Sequence, residues 1–210
     1  MSNGEQPGSD AGGHVAPAPP TSMDAGYVVP PPTGIADAAT DCLASANAGS
    51  LDAISVTTLT SEVTVPMCIY KGKVLLVVNT ASMCGYTPQY TPLQAIYAKY
   101  ASMGFLVLGF PSQSFNQEYS SGTDVSSFCT TNYGITFPMF KIANVNAPDE
   151  QPLYTWLKAQ PASQPPADVA WNFEKFLVSR HGKVVKRILT ATPPDDASVT
   201  SAIEAELAKP

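Results

Sequence analysis

A chain of 210 residues, 44% hydrophobic and with a mean hydropathy of +0.01, can bury one sizeable core and still carry an appendage. Its net charge of −6 is unevenly placed: the first seventy residues hold seven acids and no base, the remaining 140 eleven bases against ten acids. That balance excludes a basic nucleic-acid surface and a polybasic lipid anchor, and no apolar stretch approaches the roughly 18 residues of a membrane span.

Residues 1–45 are rich in Gly, Pro, Ser and Ala, with Pro19-Pro20 and Pro30-Pro31-Pro32. Such a stretch buries too little apolar surface to offset its ordering entropy. It reads as a disordered, acidic, partly polyproline tether ahead of a domain over residues 46–210. The N-terminus has neither the basic nor the apolar region of a secretory signal. A soluble protein is expected, with cytoplasm and export both open as its compartment.

Ile54 to Thr60 and Glu62 to Met67 alternate apolar with polar residues, the pattern of a β-hairpin. Lys73 to Asn79 and Phe105 to Phe110 are continuous apolar runs, as in parallel strands covered on both faces. Between them Leu93, Ile96, Tyr97 and Tyr100 repeat at helical spacing, completing a βαβ unit. Helices are predicted over 123–132 and 151–159. Glu174 to Arg180 and Lys183 to Leu189 flank His181-Gly182 as a second hairpin, and Pro193-Pro194 opens a last helix carrying Val199, Ile203 and Leu207. This order defines an α/β class: a thioredoxin-like fold, with a central mixed sheet flanked by helices and an N-terminal β-hairpin.

Cys84 lies in the segment Val78-Asn-Thr-Ala-Ser-Met-Cys-Gly85, directly after the first apolar run, and Thr87-Pro88 and Thr91-Pro92 follow as helix starts. A thiol facing a helix N-terminus meets unpaired N–H groups and a positive dipole, which favour thiolate. Thr87 stands two residues beyond Gly85, so no C-x-x-C disulfide exchanger is present. Cys84 reads as a lone nucleophile. The two histidines, His14 in the tether and His181 in a turn, offer neither a catalytic partner nor a metal site.

Three further segments complete a pattern. The motifs V-N-x-A-S-x-C-G, G-F-P followed by Q-E, F-C-x-x-N-Y-G-x-T-F-P and W-N-F-x-K-F-L-V occur in that order. Together they resemble the glutathione peroxidase family from about Ser50 to the C-terminus. The resemblance implies a peroxidase acting on hydrogen peroxide and organic hydroperoxides, without metal, flavin or haem. It places the family's catalytic tetrad on Cys84, Gln117, Trp171 and Asn172. The loop before Gln117-Glu118 is one residue shorter than the family pattern, which leaves Gln113 as a rival for the glutamine position.

Chemistry agrees with this division of labour. Lowering a thiol pKa from about 8.5 to about 6 raises the thiolate fraction at pH 7 about thirtyfold. The accompanying loss of nucleophilicity takes back roughly tenfold. Rapid peroxide reduction must therefore rest mainly on donors aimed at the departing oxygen, which Gln117, the Trp171 indole and Asn172 can supply.

Cys129 stands where the resemblance implies a resolving cysteine, as in the thioredoxin-dependent branch. Thioredoxin or another dithiol protein is then the expected reductant, with glutathione possible. Between Leu157 and Trp171 the chain lacks the insertion of tetrameric members, so a monomer is expected. Two other readings stay open: a peroxide-sensing relay that passes oxidation to a partner, and a one-cysteine, glutathione-dependent peroxidase. Cys42 and Cys68 lie outside the family pattern. As a disulfide they would close a loop of about 27 residues, worth about 3.5 kcal/mol in the chain-entropy model. As two unrelated thiols they would fit a reducing compartment.

Overall fold

The computed structural model describes residues 35–163 and 167–210. The expected tether up to residue 34 lies outside the described residues. Its last part, Ile35–Ala44, is a helix, α1. The alanines of this segment favour helix, and Cys42 on α1 is disulfide-bonded to Cys68, with Cα atoms 5.8 Å apart. Of the two readings of that pair, the structure has the disulfide.

The β-hairpin follows as β1 (Ser55–Thr57) and β2 (Thr64–Pro66), antiparallel with Val56 opposite Val65. Then come β3 (Val74–Thr80), α2 (Tyr90–Tyr100), β4 (Phe105–Pro111), α3 (Gly122–Tyr133), α4 (Pro152–Ala159), β5 (Lys175–Val178), β6 (Val184–Ile188) and α5 (Ala197–Leu207). The sheet order is β4-β3-β5-β6. β3 pairs parallel with β4 and antiparallel with β5, and β5 pairs antiparallel with β6. This is the mixed sheet of the expected thioredoxin-like fold.

Strand periodicity divides the core into two layers. Val74, Leu76 and Val78 of β3 face α2 and α5, joining Leu93, Ile96, Tyr100, Val199 and Ile203. Leu75 and Val77 face the other way, joining Leu108, Phe110, Phe176, the α4 residues Leu153 and Leu157, and the hairpin residues Val56 and Val65. All seven residues of β3 are buried, which explains its uninterrupted apolar run. The functional segments converge just past the C-terminal ends of β3 and β4. At that point the β3–α2 loop, the β4–α3 loop and the turn entering β5 come together.

Candidate active site

Backbone amides fix the β3–α2 loop one after another. The Ser82 N–H donates to Glu118 Oε1 (3.1 Å), the Met83 N–H to the Gln117 carbonyl (2.9 Å) and the Cys84 N–H to Thr87 Oγ1 (3.0 Å). The Thr87 hydroxyl in turn donates to the Ala81 carbonyl at 2.9 Å. One amide is aimed at the sulfur itself: the Tyr86 N–H donates to Cys84 Sγ at 3.4 Å. The helix start expected after Cys84 is a 3-10 turn over Thr87–Gln89 that leads into α2. Cys84 is buried in the loop, while its neighbours Met83 and Tyr86 are 52% and 40% exposed.

The β4–α3 loop separates the two candidate glutamines. Asn116 adopts φ 53°, a left-handed conformation that Asn tolerates better than most residues, and Gln117 follows it. The Asn172 side-chain amide donates to Gln117 Oε1 at 2.9 Å. Gln113 instead turns back on its own loop. Its Nε2 donates to the Glu118 and Tyr119 carbonyls at 2.9 and 3.0 Å. Gln117 is thus the glutamine paired with Asn172. With its oxygen occupied, its two amide protons remain available to an incoming oxygen.

Trp171 is 40% exposed and packs on Phe115, with ring centroids 5.0 Å apart. Asn172 is fully buried. Phe173 adopts φ 63°, a costly conformation for a bulky residue that persists only where neighbours enforce it. Those neighbours are Asn79, whose carbonyl accepts the Phe173 N–H at 2.6 Å, and Lys175, whose Nζ donates to the Phe173 carbonyl at 2.8 Å. Asn79 also donates from Nδ2 to the Trp171 carbonyl and accepts the Glu174 N–H, both at 3.0 Å. The end of β3 therefore holds both the cysteine loop and the Trp171-Asn172 turn.

Cys129 makes none of these hydrogen bonds and is 2% exposed inside α3. It sits beside the Tyr90 hydroxyl, and burial pushes its thiol up to about 12. Tyr90 packs edge-on against Phe173 and at a tilt against Tyr133, both with centroids 5.3 Å apart. Among the described residues no group of three or more His, Cys, Asp and Glu could hold a metal ion, and no helix is long and apolar enough to cross a membrane.

The supporting roles of Thr87, Glu118 and Lys175 are not readable from the motifs, although the Q-E and W-N-F-x-K-F-L-V motifs contain the last two residues. Only Lys175 carries a usable signal, a lysine at the head of the apolar segment Lys175-Phe-Leu-Val. It is fully buried, donates also to the Thr192 carbonyl at 2.7 Å, and burial lowers its pKa to about 8. Between about pH 8 and the unfolded value of 10.5 the unfolded chain binds the extra proton, so this group makes stability rise with pH. Cys129, raised from 9.0 to about 12, acts in the opposite sense above pH 9. Tyr70, Tyr90, Tyr133 and Tyr154, all raised by burial from 10.0, act in the same sense as Cys129 near pH 10, so wild type is expected to lose stability toward pH 10.5 with Lys175 offsetting part of the fall. Lys175→Met should fall more steeply there, losing stability relative to wild type by up to about 1.4 kcal/mol per pH unit. Urea midpoints at pH 7.5, 9 and 10 check this, and parallel curves for the two proteins would contradict it.

A buried thiol at a strand end, with amide donors assembled nearby and no second cysteine in its own loop, describes a thiol-based oxidoreductase. Comparison with known proteins makes this specific. The family model for glutathione peroxidase matches residues 52–158. The glutathione peroxidase-like peroxiredoxin gpx1 of Schizosaccharomyces pombe is 48% identical over 131 residues, 62% of this chain and 83% of that protein. The thioredoxin/glutathione peroxidase BtuE of Escherichia coli is 42% identical over 161 residues, 67% of this chain and 88% of that protein. A crystal structure described as Trgpx in apo form superposes with a TM-score of 0.61 at 36% identity, covering 77% of this chain and 97% of that one. The chain belongs to the glutathione peroxidase family.

Proposed function

We propose that this chain is a two-cysteine thiol peroxidase that reduces hydrogen peroxide and organic hydroperoxides at Cys84. The observation that carries this reading is the Asn172–Gln117 side-chain bond of 2.9 Å. It joins two segments 55 positions apart, next to Trp171 and directly against the loop that presents Cys84. The Cys84 thiolate attacks the nearer peroxide oxygen. The O–O bond breaks, the sulfur becomes a sulfenic acid, and the other oxygen leaves as alkoxide or hydroxide, to be protonated to alcohol or water. The free amide protons of Gln117, with the Trp171 indole N–H, stabilise that leaving oxygen.

Cys129 then condenses with the sulfenic acid, forming a disulfide and releasing water. In the folded helix its thiol is buried and resists ionisation, so α3 must loosen first. Only Val125 and Cys129 of its twelve residues are buried, which leaves the helix weakly anchored. A dithiol protein such as thioredoxin returns the disulfide to two thiols. The missing insertion between Leu157 and Trp171 supports a monomer, and the Cys42–Cys68 disulfide supports an oxidising compartment.

Coupled turnover of cumene hydroperoxide, run with thioredoxin and thioredoxin reductase or with glutathione and glutathione reductase, tests the scheme. Turnover is expected with thioredoxin and should disappear in Cys129→Ser, while single-turnover oxidation of Cys84 persists. Glutathione-driven turnover that survives Cys129→Ser would make Cys129 structural. Rapid Cys84 oxidation without turnover on either reductant would favour a relay to another protein.

A further inference from the structure

Glu118 is 4% exposed and lies between the two loops that must meet for peroxide chemistry. One carboxylate oxygen, Oε1, accepts both the Ser82 N–H (3.1 Å) and the Tyr119 N–H (2.9 Å). Ser82 is two residues before Cys84, and Glu118 itself follows Gln117. The neighbouring Met83 N–H reaches the Gln117 carbonyl at 2.9 Å, so two consecutive amides of the cysteine loop are held by Gln117-Glu118. Gln113 braces the far side of the acid, through its Nε2 bonds to the Glu118 and Tyr119 carbonyls.

A carboxylate is a costly choice for such a place. Its other oxygen, Oε2, makes no hydrogen bond of good geometry, and burial raises the Glu118 pKa against the opposing effect of the nearby Ser82 hydroxyl and of its two amide bonds. The surrounding groups do not repay the charge. Tyr90 on α2 and Cys129 on α3 are the titratable side chains facing it, and neither is a cation. A half-satisfied buried acid destabilises the fold relative to an apolar residue of like shape. What it supplies is an acceptor oxygen at one fixed reach: Oε1 takes the Tyr119 N–H within its own loop and the Ser82 N–H from the other, and the second bond fixes one loop against the other.

We propose that Glu118 is a positioning residue for peroxide reduction, a bracket that sets the Cys84 sulfur against the Gln117–Asn172 amide pair. The inference rests on the peroxidase reading above. The bracket matters for the leaving oxygen, not for the nucleophile. Peroxide reduction needs sulfur and amide donors in register at the breaking O–O bond. Alkylation of the same sulfur by iodoacetamide needs only an accessible thiolate. Misplaced donors should therefore slow the first reaction and leave the second nearly unchanged.

The experiment compares both rates for Cys84 in the full chain, under single-turnover conditions in a Cys129→Ser background, for wild type, Glu118→Gln, Glu118→Asp and Glu118→Ala. Glutamine keeps an acceptor oxygen at the same reach, whereas aspartate keeps the charge and withdraws it by one methylene. The expected result is a tenfold or greater fall in peroxide rate for the Ala and Asp variants. Gln should stay within about threefold of wild type, with alkylation within threefold throughout. Glutamine rescue also guards against a misfolding variant, since that substitution is the mildest. Peroxide and alkylation rates falling together, an active Asp with an inactive Gln variant, or no change in any variant would each overturn the bracket. If wild-type Cys84 itself shows no preference for peroxide over iodoacetamide, it is the peroxidase reading that fails.

Discussion

Cys84→Ser is expected to lower the peroxide kcat/KM by at least four orders of magnitude, about 5.5 kcal/mol of transition-state stabilisation. A serine hydroxyl at this loop keeps the shape and the Tyr86 N–H donor but is a far weaker nucleophile without a base to activate it. His181, the one histidine among the described residues, lies between β5 and β6 and not in this loop. The donor residues should cost less, and unequally. Gln117→Ala removes both the free amide protons and the acceptor of the Asn172 bond, and a loss of about 10²–10³ is expected, as for a donor in an oxyanion hole. Asn172→Ala leaves Gln117 in place but frees its side chain to turn, so its effect should overlap with that of Gln117→Ala. The double variant should be little worse than Gln117→Ala alone, because residues that act as a unit are not additive. Stopped-flow measurement of Cys84 oxidation over a peroxide series gives the rates of wild type, both single variants and the double. Multiplicative losses in the double variant would show that the two amides act separately.

How much of this is legible in the chain depends on the range of the interactions. β3 and β4 are readable because strands covered on both faces have no polar register to hide them. The Leu93, Ile96, Tyr97, Tyr100 stripe marks α2 because one face of that helix is buried. The Cys84, Trp171 and Asn172 positions follow from motifs, which are local in sequence. Choosing between Gln113 and Gln117 requires the structure: both lie in one short loop, and the left-handed turn at Asn116 decides which of them meets Asn172. Helix α1 is hidden for a different reason. Its alanine-rich sequence sits behind a proline run and reads as low complexity. Its attachment is through Cys68, 26 positions away. Glu118 shows the same limit, for nothing local to Gln117-Glu118 announces a bond to the Ser82 amide 36 positions back.

The second large effect is expected far from the sulfur, at Arg187. Its guanidinium bonds Glu174 Oε1 through Nε, and its two terminal nitrogens donate to the Ala167 and Asp168 carbonyls at 3.0 and 2.9 Å. Glu174 is fully buried, and its second oxygen accepts the Ala170 N–H at 2.9 Å. The ion pair thus ties β6 to the segment 167–170 that leads into Trp171. Arg187→Met leaves the buried carboxylate without its cation and two carbonyls without donors, and a loss of about 3–5 kcal/mol is expected. Adding Glu174→Gln should restore part of that loss, since a neutral amide is easier to bury than an unpaired charge. A double-mutant cycle from urea unfolding reads the coupling. A cost below about 1 kcal/mol for Arg187→Met would show that the Glu174 carboxylate is not left stranded by the loss of its partner, and would overturn the prediction. Peroxide kinetics on the folded fraction add a further test, because Trp171 is held from both sides. Asn79 binds its carbonyl, and the Arg187–Glu174 pair anchors the chain before it. Losing one anchor should slow Cys84 oxidation without altering its reactivity toward an alkylating agent.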